Sequence, residues 1–140
     1  MGKLETNMAK LKGRLEVVRR VTKQSVARIL ADCHRNDLQV RYAGLVVGSQ
    51  IDPASIANPH IRAHALEGQL FRIAVVDALR AHGIREVILT ERDAYPVAAS
   101  RLRRSASDVR RIIQDIGRSA SGPWRSEQKL AALAAWVAVS

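Results

Sequence analysis

The chain has 140 residues, 47% of them hydrophobic but only 4% aromatic, and a formal net charge of +10. That length favours one domain with a core of Val, Ile, Leu and Ala, and the charge favours polyanions as partners, nucleic acid foremost. No apolar run approaches the ~20 residues of a membrane-spanning helix; no uninterrupted apolar stretch near the N-terminus makes a secretory signal; and the single cysteine, Cys33, excludes both an internal disulfide and an all-cysteine zinc site. A cytoplasmic location fits this cysteine usage.

Residues 3–35 read as one long basic helix. Leu4, Met8, Leu11, Leu15 and Val18 alternate spacings of four and three, the pattern of a heptad seam. The seam degrades at Thr22 and Ser25 and resumes at Ile29. Either the seam packs on the rest of the domain, or it joins two copies as a homodimer. Cys33, near the end of this helix, reads as a small packed residue rather than a nucleophile.

Residues 38–48 read as a buried strand ended by Gly48. Gly48-Ser49-Gln50 offers backbone N–H groups that suit a phosphate, although it matches no established phosphate loop. Pro53 and Pro59 bracket a loop, and Asn58 followed by Pro59 marks a capped helix start. A helix is expected from Pro59 to His82, with an apolar face at Leu66, Leu70, Ile73 and Val76, and with Gly83 closing it. A second buried strand follows at Glu86–Thr90. A helix from Asp93 to Arg104 comes next, then one from Asp108 to Gly117 capped by Ser105 or Ser107, and a last one capped by Ser126. The order is α-β-α-β-α-α-α. It implies an α/β fold: a small parallel sheet with covering helices, reduced ribonuclease H-like or Rossmann-like. Residues 1–35 form an N-terminal basic amphipathic helix and 36–140 the α/β domain.

Several residues carry candidate chemistry. Glu91 and Arg92 directly follow the second strand, and ligands of parallel sheets bind beyond the carboxyl ends of strands. A carboxylate there suits Mg²⁺ or Mn²⁺, and equally suits a helix N-terminus. His60, His64 and Glu67 share one helix face; they read as an exposed polar stripe or as a weak metal set. Gly68 beside Glu67 leaves room for close approach. Arg101, Arg103, Arg104, Arg110 and Arg111, with Arg118 beyond them, concentrate charge on a helix pair suited to phosphates. Trp124 and Trp136 flank the last helix and read as packing residues.

The segment VILTERDAYPVAASRL resembles a stretch of Holliday-junction resolvase-like nucleases of the ribonuclease H fold, a bacterial group that also includes nucleases assigned to ribosomal RNA maturation. There a strand ends in an Asp-Glu-Arg triplet, and a helix with Ala-x-Arg-Leu follows. Glu91 and Arg92 match the triplet's last two positions; Ala99, Arg101 and Leu102 match the helix. The strand YAGLVVGSQ and the closing helix EQKLAALAAWVAV are also similar to family elements, so the likeness spans roughly residues 28–139. It implies metal-dependent phosphodiester hydrolysis with Mg²⁺ or Mn²⁺, with Glu91 and Glu127 as ligands, Glu67 as a third acid and Arg92 on a phosphate. The chain departs from the pattern at two acids. Thr90 stands where the triplet has Asp, and a basic helix replaces the opening hairpin that carries an essential Asp. The expectation is therefore a nucleic-acid-binding domain derived from such a nuclease, with a regulatory or structural homodimer built on the N-terminal helix as the alternative.

Overall fold

The computed structural model describes residues 2–48 and 51–140, with side chains from residue 9 onward. Its elements are α1 (Gly2–Arg35), β1 (Tyr42–Val47), α2 (Pro59–Ala81), β2 (Arg85–Thr90), α3 (Ala94–Leu102), α4 (Ala106–Gly117) and α5 (Ser126–Val139). This is a small α/β fold with the expected element order. No helix of the described residues is long and apolar enough to cross a membrane. Ser49, Gln50 and the side chains of Leu4 and Met8 lie outside the described residues, so the proposed phosphate loop and the start of the seam do too.

The chain divides into two compact units. The first comprises Met1–Val40 with Ile51–Gly83, and in it α1 packs on α2. The seam of α1 differs from the expected one. Leu15, Val18, Thr22, Leu30 and Cys33 are half-buried and Val26 is buried, whereas Ile29 is 60% exposed. Leu15 to Val26 and Thr22 to Cys33 each span eleven residues, close to three turns of an ordinary 3.6-residue helix, so the stripe follows a straight helix rather than a 3.5-residue supercoil. The apolar face of α2 is also redistributed. Ala74, Val76, Ala78 and Leu79 are buried, while Leu66, Phe71 and Ile73 are exposed. The start of α2 is as expected: Asn58 Oδ1 accepts from the His60 and Ile61 N–H groups at 2.9 and 3.2 Å, and Pro59 needs no partner for its missing N–H. Gly83 closes the element at φ +70°, where a side chain is strained.

The second unit comprises Arg41–Gln50 with Ile84–Ser140. β1 and β2 pair in parallel, Tyr42 opposite Arg85 through Val47 opposite Thr90. The first strand is shorter than expected. It begins at Tyr42 because β2 supplies partners only from Arg85 onward, and Leu38 is exposed instead. Helix α5 covers the sheet, with α3 and α4 packed on α5. The core gathers Leu89 from β2, Ala94 and Ala98 from α3, Val109 and Ile113 from α4, and Leu130, Leu133, Ala134 and Val137 from α5.

One contact sets the α5–sheet spacing. A Cβ placed on Gly44 would lie 2.5 Å from the Ala134 carbonyl oxygen and 2.6 Å from the Ala134 Cβ. Glycine inside a strand marks close approach of another backbone, and here that backbone is α5. A Cβ on Gly68, the glycine expected to permit such an approach, meets nothing within 4 Å. Gly117 does admit a neighbour, since its Cβ would sit 2.5 Å from Trp124 Cγ. The Trp124 indole N–H donates to the Ile113 carbonyl at 3.0 Å, so Trp124 locks the α4 end as a packing residue. Trp136 packs against the core as expected.

Helix ends bring smaller corrections. α3 stops at Leu102, before Arg104, with Arg103 left-handed at φ 53° and its N–H donating to the Ser100 carbonyl. α4 starts at Ala106, and Ser105 caps it by accepting from the Asp108 N–H. Ser126 is the first residue of α5, not its cap; Arg125 takes the cap position and donates its N–H to Gln128 Oε1 at 3.0 Å.

Candidate acidic cleft and basic helix pair

Parallel pairing places the carboxyl ends of β1 and β2 at one edge, and Glu91 follows Thr90 there directly. Ala134 crosses β1 at Gly44. Glu127 precedes it on α5 by seven residues, or ~10 Å of helix at 1.5 Å per residue. That offset carries Glu127 to the same edge. Glu91 and Glu127, with Gly44, Val46, Leu130 and Ala131, line one cleft of about 340 Å³. Glu91 was expected from its place after the second strand and Glu127 from the family likeness, and both line one cavity. The role of Gly44 in shaping that cavity was missed, although an isolated glycine within a strand is the signal for it.

Glu67 belongs to the first unit. Its carboxylate lies 3.6 Å from His64 Nδ1, and it borders an apolar groove lined also by Leu11, Leu15, Val18, Leu70 and Phe71. His60 and His64 come together as the i, i+4 spacing requires, their Nε2 atoms 3.3 Å apart and their rings edge to face. That makes two nitrogen donors with Glu67 behind the second. Among the described residues, no three His, Cys, Asp or Glu side chains converge as a metal-binding group. Mg²⁺ and Mn²⁺ prefer oxygen donors. Glu91 and Glu127 are oxygen donors that line one cleft, the donor type either ion would use.

The arginines on and flanking α3 and α4 divide into those paired with acids and those that are not. Asp108 accepts from Arg104 at 3.2 Å and from Arg111 at 2.5 Å; Asp115 lies 3.8 Å from Arg111 and 3.4 Å from Arg118. These pairs follow the i, i+3 and i, i+4 geometry of helix neighbours and withdraw part of the positive charge. Arg92, Arg101 and Arg103 are exposed. Arg110 is turned to Tyr95, its guanidinium carbon 4.0 Å from the ring centroid, and Arg104 lies 5.7 Å above the Trp136 ring.

Hydrogen bonds first from Arg111 and then from Arg104 hold the Asp108 carboxyl below its ordinary value of 3.8, and the Arg111 guanidinium is correspondingly raised. A carboxylate with a lowered folded value contributes stability above pH 3.8 that is lost as pH falls through the folded value. Asp108→Asn is thus expected to lower the melting temperature at neutral pH. The gap to wild type should close as pH drops below 3.8 in a melting series; a constant gap down to pH 2 contradicts the pairing.

No protein-family model, curated protein or solved structure matches the chain.

Proposed function

We propose that the second unit is a nucleic-acid-binding α/β module, a reduced ribonuclease H-like relative of resolvase nucleases that holds its ligand across the carboxyl edge of β1 and β2. The observation that carries this reading is the convergence of Glu91 and Glu127 in one cleft, beside helices rich in arginine, on a chain of net charge +10. Two acids suit one divalent ion. Cleavage by two ions needs more carboxylates around one phosphate than this cleft supplies, and binding without cutting follows. Arg92 adjoins Glu91, and Arg101, Arg103 and Arg110 supply further cations for the strand.

Purified protein incubated with labelled single strands and duplexes in Mg²⁺ or Mn²⁺ tests this reading. Binding without cleavage is expected, and Glu91→Gln should keep its affinity. Metal-dependent cleavage that disappears in Glu91→Gln would make the protein a nuclease instead, with Glu91 and Glu127 as its ion ligands.

A second reading has its own observation. The groove of the first unit presents Leu11, 48% exposed, and Phe71, 55% exposed, beside Leu15 and Leu70. Contiguous apolar surface of this kind marks association. A second copy docking through α1 would cover it as a homodimer. Leu11→Asp should then convert a dimer to a monomer in sedimentation velocity, whereas wild type that sediments as a monomer at high concentration removes this reading.

A further inference from the structure

The pairing of cations on α4 has one exception. Asp108, Arg111, Asp115 and Arg118 lie along one stripe of the helix and neutralise one another, and Arg104 joins them at Asp108. Arg110 lies off that stripe. Its guanidinium covers the Tyr95 ring, and it makes no ion pair among the described residues. Lys129, on the first turn of α5, makes none either. Both side chains line one cleft of about 300 Å³ together with Tyr95, Gln114, Ser126 and Leu130. The lining holds two cations, three neutral hydrogen-bonding groups and no carboxylate.

We propose that this cleft is a phosphodiester subsite, in which Arg110 and Lys129 hold a backbone phosphate of a nucleic acid strand. The inference rests on the nucleic-acid reading and adds a specific place for the phosphate. Two unpaired cations facing one cavity, with no internal anion, favour an external anion there. The guanidinium held over the tyrosine ring keeps N–H donors for a ligand, in the planar fork that grips phosphate oxygens. Gln114 and Ser126 add neutral donors. Tyr95, beside Arg110 in the same cleft, offers an adjoining base an aromatic contact that a carboxylate peptide would not use. The subsite borders the acidic cleft: Leu130 lines both, and the first turn of α5 sends Lys129 to one and Glu127 to the other. A strand anchored by Arg110 and Lys129 is thereby placed beside Glu91 and Glu127.

The test is titration of a labelled oligothymidylate with the full chain at several salt concentrations, for wild type, Arg110→Gln, Lys129→Gln, Arg110→Lys and Lys23→Gln. Lys23 lies on α1 in the first unit and serves as the control for simple loss of charge. Arg110→Gln and Lys129→Gln should each weaken binding by about three- to tenfold and make the salt slope shallower by about one, whereas Lys23→Gln should change affinity by about twofold or less. Arg110→Lys should fall between wild type and Arg110→Gln. If Arg110→Gln does not fold, Lys129→Gln carries the comparison. Wild-type binding with both glutamine variants matching Lys23→Gln would overturn the subsite and leave the nucleic-acid reading standing. Equal displacement of the strand by polyglutamate and by unlabelled oligothymidylate would overturn the assignment to phosphodiester. No binding by wild type in low salt would overturn both.

Discussion

Gly44→Val is expected to cost the second unit about 3 kcal/mol or more of stability, at the upper end for overpacking substitutions. The cause is local and severe. Even a single Cβ at this position falls 2.5 Å from the Ala134 carbonyl oxygen, and the obstacle is helix backbone rather than a flexible side-chain tip. α5 would have to lift from β1. Leu133 and Ala134, both fully buried, and Leu130 and Val137 would move with it. The acidic cleft would open at the same time, because Gly44 lines it and Glu127 rides on α5. Urea unfolding followed by circular dichroism checks this. A midpoint within experimental error of wild type would mean that α5 does not sit on β1 as described. Gly68→Val, with nothing within 4 Å of its Cβ, serves as the comparison and should cost far less.

The double variant Glu91→Gln/Glu127→Gln is expected to bind nucleic acid more tightly than wild type in metal-free buffer. Two unit charges at ~4 Å in water interact by ~1 kcal/mol, about fivefold in affinity for each carboxylate removed from beside a phosphate. A combined gain of about tenfold is a reasonable expectation for exposed groups. Millimolar Mg²⁺ should close the gap, because Glu91 and Glu127 would hold the ion and its charge would offset their repulsion of the phosphate. The measurement is a pair of binding isotherms for each protein, with chelator and with Mg²⁺. Identical affinities for both proteins under both conditions would place the nucleic acid away from this cleft.

Much of this site was legible in the sequence. Glu91 was identifiable because a short apolar run ended immediately before it, and parallel strands place such residues at a ligand edge. Glu127 came from the likeness of the closing helix to the resolvase family's last helix, which opens on an acidic residue. Asn58-Pro59 and Gly83 bounded α2 because cap chemistry is local. Other features depend on long-range packing and were not legible. The Val26 stripe on α1 reflects the straight-helix period that its packing on α2 requires. Gly44 acquires its role only because Ala134, ninety residues later, crosses it. Glu67 sorted with the first unit because α2 packs on α1, a partnership no local pattern encodes. Arg110 was expected only as one of five arginines on a helix pair, and its sharing of a cleft with Lys129 was not legible because the two come together only in the packed fold. Only the geometry separates the guanidiniums neutralised by Asp108 and Asp115 from the one left over Tyr95.

The most direct test is the affinity of the wild-type chain for a labelled single strand and a labelled duplex as salt rises from ~50 to ~200 mM. The expected result is measurable binding to at least one of them, with log affinity falling linearly with log salt at a slope of about −3 or steeper, as counterions are released from several phosphates. Failure to bind either substrate at the lowest salt, or an affinity indifferent to salt, would contradict it.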